Sequence, residues 1–180
     1  MIGAPCIRLR QKRPEDAARD YRWQTDAKLS ALDAAEPLHM TYPEYLAEYL
    51  FLLKDPMPVR AQFAIETEDG LHIGNCACYG IDTEKADAEV GVMIGDRSYW
   101  GKGYGAAALS ALVKYAFTDG GLSRLHLKTL VSNTRAQRCF ERTGFVAYDR
   151  EQRGGYDFIL MELSRDTWQR RQGKEAAVIP

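Results

Sequence analysis

The chain has 180 residues, 46% hydrophobic and 27% charged, with a net charge of −1. That describes one domain able to bury its own core without a metal or disulfide staple. It excludes a broad electrostatic nucleic-acid footprint, and no apolar run approaches the roughly 20 residues of a membrane span.

Met1–Pro5 lacks the charged and apolar regions of a secretory leader, so a cytoplasmic location is expected. Ile7 to Lys12 alternates as a strand, and Pro14, Glu15 and Asp16 suit the start of a helix. Residues 26–39 show no clean period. Thr41-Tyr42-Pro43-Glu44 is a capping box, followed by Tyr45, Leu46, Tyr49, Leu50 and Leu53 at helical spacing. The period then becomes two, giving strands at 62–67, 71–81 and 87–94; Cys76 and Cys78 share one face of the second. With Cys6 and Cys139 they complete no metal-ligand pattern and read as reduced thiols. A helix to about Phe117 stops at Gly120-Gly121. Arg124–Val131 reads as a strand, Asn133 or Thr134 caps a helix to Gly144, and two strands follow at 145–150 and 156–163. Residues 1–164 form the domain, and residues 165–180 read as a loose polar tail. The order is an antiparallel meander followed by a βαβ-like crossover, hence an α/β chain with a mixed sheet and helices on both faces.

The strongest functional signal is Trp100-Gly101-Lys102-Gly103-Tyr104-Gly105-Ala106, between the strand ending at Ile94 and a helix. Its glycines allow a tight turn and close approach to a ligand. The unpaired amides of the helix's first turn, with the positive end of its dipole, attract an anion. A diphosphate fits. Gly101-x-Gly103-x-x-Ala106 matches the dinucleotide fingerprint in form, with Asp119 downstream. Context opposes that reading: residues 95–100 separate strand from loop, and Asp119 precedes a strand instead of ending one. No Lys-Ser/Thr pair supports a nucleotide P-loop. A purely structural glycine cluster is the bland alternative.

The loop and the element order together resemble the GNAT superfamily of N-acetyltransferases, over about Ile7 to Leu163. The family's Gln/Arg-x-x-Gly-x-Gly/Ala pattern is met by Gly103 and Gly105, with Trp100 at the first position. The resemblance implies acetyl-CoA as co-substrate, its pyrophosphate held by the backbone of residues 100–106. Asn133-Thr134-Arg135-Ala136, followed by Phe140 to Phe145, is similar to the family's Asn-x-x-Ala…Gly-Phe segment. It implies that Asn133 holds the pantetheine arm or places the helix, and that Arg135 and Arg138 meet the 3′-phosphate. Lys102 and Arg97 would flank the phosphates. The implied fold is a mostly antiparallel twisted sheet whose strands 87–94 and 124–131 splay to admit the arm. Met93 and Ile94 would then lie beside the acyl group, with a backbone N–H near Met93 serving the oxyanion.

Acyl transfer to an amine needs a base, an oxyanion donor and a proton for the leaving thiolate. Glu89 stands fourteen positions before Gly103, where many family members carry a basic Glu acting through water. It alternates with Val90 and Val92, as either a cleft residue or a solvated strand residue would. Phe140 replaces the tyrosine many members place seven residues after the Asn, so the usual acid is missing. Tyr79, Tyr104, Tyr148, Tyr156 or water are the alternatives. Tyr42, Tyr45 and Tyr49, with Glu36, His39, Glu44 and Glu48, are candidates for the acceptor side, although a helical tyrosine stripe also suits a core. The long front end and Phe140 point to the Rim-like branch, the ribosomal-protein-alanine type, and so to a small amine or a protein N-terminus. The rival from another class is a non-catalytic acyl-CoA-binding module. The expected partners are acetyl-CoA and an amine acceptor, without nucleic acid or membrane; a homodimer is compatible with the sequence.

Overall fold

The computed structural model describes residues 5–176. β1 (Ile7–Gln11) leads through a single 3-10 turn at Pro14–Asp16 into α1 (Ala17–Gln24). The stretch without a clean period holds α2 (Ala27–Leu32), whose six residues are too few to display one. Asp26 starts it, its carboxylate accepting from the amides of Lys28 at 2.9 Å and Leu29 at 3.1 Å. α3 (Tyr42–Lys54) begins at the capping box, where Glu44 accepts from the Thr41 amide at 2.8 Å. Then follow β2 (Ala61–Thr67), β3 (His72–Asp82), β4 (Asp87–Ile94), α4 (Tyr104–Thr118), β5 (Arg124–Leu130), α5 (Thr134–Thr143), β6 (Val146–Arg153), β7 (Tyr156–Ser164) and α6 (Arg165–Ala176).

The seven strands form one sheet in the order β1-β2-β3-β4-β5-β7-β6. β4 and β5 run parallel, as the α4 crossover requires, and the other neighbours run antiparallel. The expected mixed sheet is therefore present. Its core lies against α4, where Ala108, Leu109, Leu112, Val113 and Ala116 are fully buried against Ile65, Ile73, Val90 and Leu125. Burying each of those leucines contributes about 1.5–3 kcal/mol. No described helix is long and apolar enough to cross a membrane.

Several of the residues alternating with this core are polar and meet the front helices. Arg10 donates to both carboxylate oxygens of Asp16 at 2.7 Å and to Glu66 at 3.0 Å. The Lys12 ammonium meets Asp20 and Asn75, and Asn75 donates to Asp20 at 2.7 Å. His72 lies 3.2 Å from Asp16. Such buried pairs fix geometry more than they add stability, but removing one partner costs about 3–5 kcal/mol. The front helices are thus held at a defined place over β1–β3.

The expectation of a loose tail from Arg165 is corrected. α6 docks: Trp168 lies 5.6 Å from Phe117, and the Arg165 guanidinium donates to the Leu122 and Gly121 carbonyls. One aromatic and two arginines hold it, since Arg171 also donates to the Arg142 carbonyl at 3.2 Å, and these give no apolar period. Residues 177–180 lie outside the described residues.

Candidate active site

β4 and β5 pair at three positions, Asp87 with Arg124, Ala88 with Leu125 and Glu89 with His126. Beyond Glu89 they part, although β4 continues to Ile94 and β5 to Leu130. β4 keeps β3 alongside, with Val92 opposite Cys76 and Ile94 opposite Gly74. Among the described residues, one edge of Val90–Ile94 therefore has no strand partner. Buried backbone groups need partners, so the gap suits an extended ligand carrying amides of its own. At its end β4 bends: the amides of Gly95 and Asp96 both donate to the Ile73 carbonyl, at 2.9 and 3.1 Å. The Met93 carbonyl comes so near β3 that a Cβ at position 74 would stand 2.1 Å from it, which restricts that position to glycine.

This bend delivers the chain to the glycine loop. Gly103 starts α4 at φ +89°, a conformation costing an L-residue about 1–2 kcal/mol. Among the described residues the amides of Tyr104, Gly105 and Ala106 have no backbone partner, and no side chain caps the helix. They and the helix dipole form one site for an anion. Lys102 is exposed on the loop. Trp100 has a structural role at its motif position: its indole N–H donates to the Ile94 carbonyl at 2.6 Å, tying the loop to the end of β4. The Arg135 guanidinium stacks 3.5 Å from the centre of that indole. Arg138, three residues on, is exposed. Arg97 is held by Asp26 at 2.5 Å.

Asn133 does two things. Its side-chain oxygen accepts from the Ala136 amide at 3.2 Å, capping α5, and its NH2 donates to the Leu32 carbonyl at 3.4 Å. The end of α2 is thereby brought against the far end of β5. Phe140 is 7% exposed and sits in the core, 6.4 Å from Phe145.

Glu89 projects from the other face of the sheet, since Ala88 and Val90 are buried. His126 stands beside it, and the Lys128 ammonium lies 3.8 Å from its carboxylate. Asp33, just past α2, is solvent-exposed as a residue. Crowding by neighbouring protein and the Glu89 charge nevertheless raise its carboxyl above the ordinary value, with Lys128 opposing. Tyr79 is opposite Glu89 on β3, its ring 3.0 Å from where a Cβ on Gly91 would stand and Arg60 4.8 Å from the ring centre. Burial raises its phenol, against the pull of Arg60, so it stays protonated at neutral pH.

The other expected tyrosines lie elsewhere. Tyr104 stacks on Tyr99, Tyr148 lies under Arg124 and Tyr156 is on the outer hairpin. The α3 stripe packs against α1, with Tyr45 buried and Tyr21 5.3–5.4 Å from Tyr42 and Tyr45. Tyr45 also accepts from Gln24, and Tyr49 donates to the Arg13 carbonyl. The stripe is thus helix-packing surface. Sequence reasoning missed Asp33, His126 and Lys128. The alternation of His126 and Lys128 with buried Leu125 and Leu127 carried a signal, but the β4–β5 register that sets them beside Glu89 did not appear in it.

Comparison with known proteins agrees with this geometry. Residues 7–146 match the family described as the acetyltransferase (GNAT) domain. An uncharacterized N-acetyltransferase p20 of Bacillus licheniformis is 36% identical over 73 residues, 41% of this chain and 40% of that protein. The human alpha/beta-tubulin-N-acetyltransferase 9 is 28% identical over 154 residues, 81% of this chain and 74% of that protein. A spermidine N-acetyltransferase from Vibrio cholerae, solved with CoA and spermine, superposes with a TM-score of 0.81 at 20% identity, covering 91% of this chain and 98% of that one. The chain belongs to the GNAT acetyltransferase family.

Proposed function

We propose that the chain transfers the acetyl group of acetyl-CoA directly to a primary amine, of a small molecule or a protein N-terminus, in the cytoplasm. The observation that carries this is the end of β4–β5 pairing at Glu89 and His126, with the free edge of β4 running into the anion site. The amides of residues 104–106 hold the pyrophosphate, Trp100 keeps the loop in place, and Arg135, Arg138 and Lys102 supply positive charge. Asn133 holds the pantetheine arm. The open edge around Met93 and Ile94 supplies the amide for the oxyanion. Glu89 takes the proton from the attacking amine through water. Tyr79 is the tyrosine nearest Glu89 and is the candidate donor to the leaving thiolate. Glu89 and Asp33 beside the cleft favour a cationic acceptor, in keeping with the amine-acetylating relatives. The long front end and Phe140 favour the Rim-like branch.

Release of free CoA from acetyl-CoA across a panel of small amines and N-terminal peptides tests this reading. Turnover with at least one amine is expected. Tight CoA binding without turnover on any of them would favour the non-catalytic module.

A further inference from the structure

Lys128 carries a consequence beyond the acceptor chemistry. It lies two residues past His126 on β5, so it shares the face of Glu89 but sits where β5 has already left β4. On its other side its backbone is opposite Leu160 of β7. The side chain returns across the splay and sets its ammonium 3.8 Å from the Glu89 carboxylate. A primary amine of the chain itself thus stands beside the group we assign as base, at the mouth of the gap that admits the acyl donor. Lys12 is locked to Asp20 in the buried network, and Lys85 pairs with Asp82 at the turn between β3 and β4.

The contact is loose enough for chemistry. Both side chains are about 40% exposed, 41% for Lys128 and 39% for Glu89, and an exposed pair at this distance is worth only about 0–1 kcal/mol. The ammonium can therefore leave Glu89, surrender a proton and swing on its flexible stem. A tethered group also competes well with a free one: even a loose tether gives an effective concentration on the order of mM.

We propose that Lys128 is a self-acetylation site, used when acetyl-CoA is bound and no acceptor is present. This rests on the reading of Glu89 as base. Glu89 takes a proton from the Lys128 ammonium and passes it to solvent. The freed nitrogen lone pair forms a bond to the acetyl carbonyl carbon, the carbon–sulfur bond breaks, and the sulfur leaves with the bonding pair. It becomes the thiol of CoA with the second proton lost by the nitrogen. The products are N-acetyl-Lys128, CoA and one proton released to solvent. The modified side chain no longer offsets the charges of Glu89 and Asp33, so the acceptor side becomes more negative.

The experiment incubates the full chain with acetyl-CoA alone and maps acetyl groups by peptide mass spectrometry. One acetyl group on Lys128 is expected, at a rate per molecule that does not change on dilution. It should be absent from that site in Lys128→Arg and at least 10-fold slower in the chain unfolded by urea. Lys128 left unmodified, an equal rate in urea, or a rate per molecule proportional to chain concentration would each overturn the proposal. The amine panel separates the two readings: turnover on an amine without acetyl-Lys128 removes this inference and leaves the proposed function standing.

Discussion

Gly103→Val probes the anion site with the least disturbance elsewhere. Position 103 has φ +89°, so any side chain there costs about 1–2 kcal/mol of stability. The new Cβ would also stand 3.2 Å from the Pro5 ring, a contact that needs a shift of a few tenths of an ångström. For a chain of this size that loss lowers Tm by about 2–8 °C, leaving the protein folded at 25 °C. Binding should suffer more. The strained residue can relax only by rotating the peptide that leads into the free amides of Tyr104, Gly105 and Ala106. A hydrogen bond to a charged group is worth about 1.5–3 kcal/mol, so losing one weakens CoA binding about 10- to 150-fold. Calorimetric titration with CoA, alongside a thermal melt, reads both quantities. A folded variant with wild-type affinity would refute the backbone cradle.

Glu89→Gln should lower kcat by about 10²–10³-fold while leaving CoA affinity near wild type; full activity at neutral pH would move the base elsewhere. Phe140→Tyr should cost about 1–3 kcal/mol by burying an unpartnered hydroxyl beside Phe145, with no gain in rate. An equally stable and faster variant would show instead that the para edge reaches the acyl site. Asp16→Asn should destabilise by about 3 kcal/mol or more at pH 7. Burial disfavours the Asp16 carboxylate, but the hydrogen bonds from Arg10 and the Arg13 amide outweigh it and hold its pKa below the ordinary value. That stabilisation is present above the ordinary aspartate range and is lost as pH falls through the folded-state value. The Tm gap between variant and parent should therefore narrow below about pH 4; a gap independent of pH down to acid unfolding would assign the effect to packing alone.

Much of this protein was legible in local pattern. The alternation of β2 to β4, the capping box at Thr41, the Asn133 cap and the glycines at 101, 103 and 105 each act within a few residues, and each appears where its pattern puts it. The short helix α2 escaped because six residues cannot show a period, and α6 because its docking rests on one aromatic, Trp168, and on polar contacts of Arg165 and Arg171. Only the tertiary structure decided that Glu89 shares its surroundings with His126, Lys128 and Asp33. Those residues meet through a parallel register, a splay and a helix end held by Asn133, across the 95 positions of chain from Asp33 to Lys128. Local spacing fixes which face of a strand a side chain takes. It does not fix which strand lies alongside, because that choice depends on how the whole sheet buries its core.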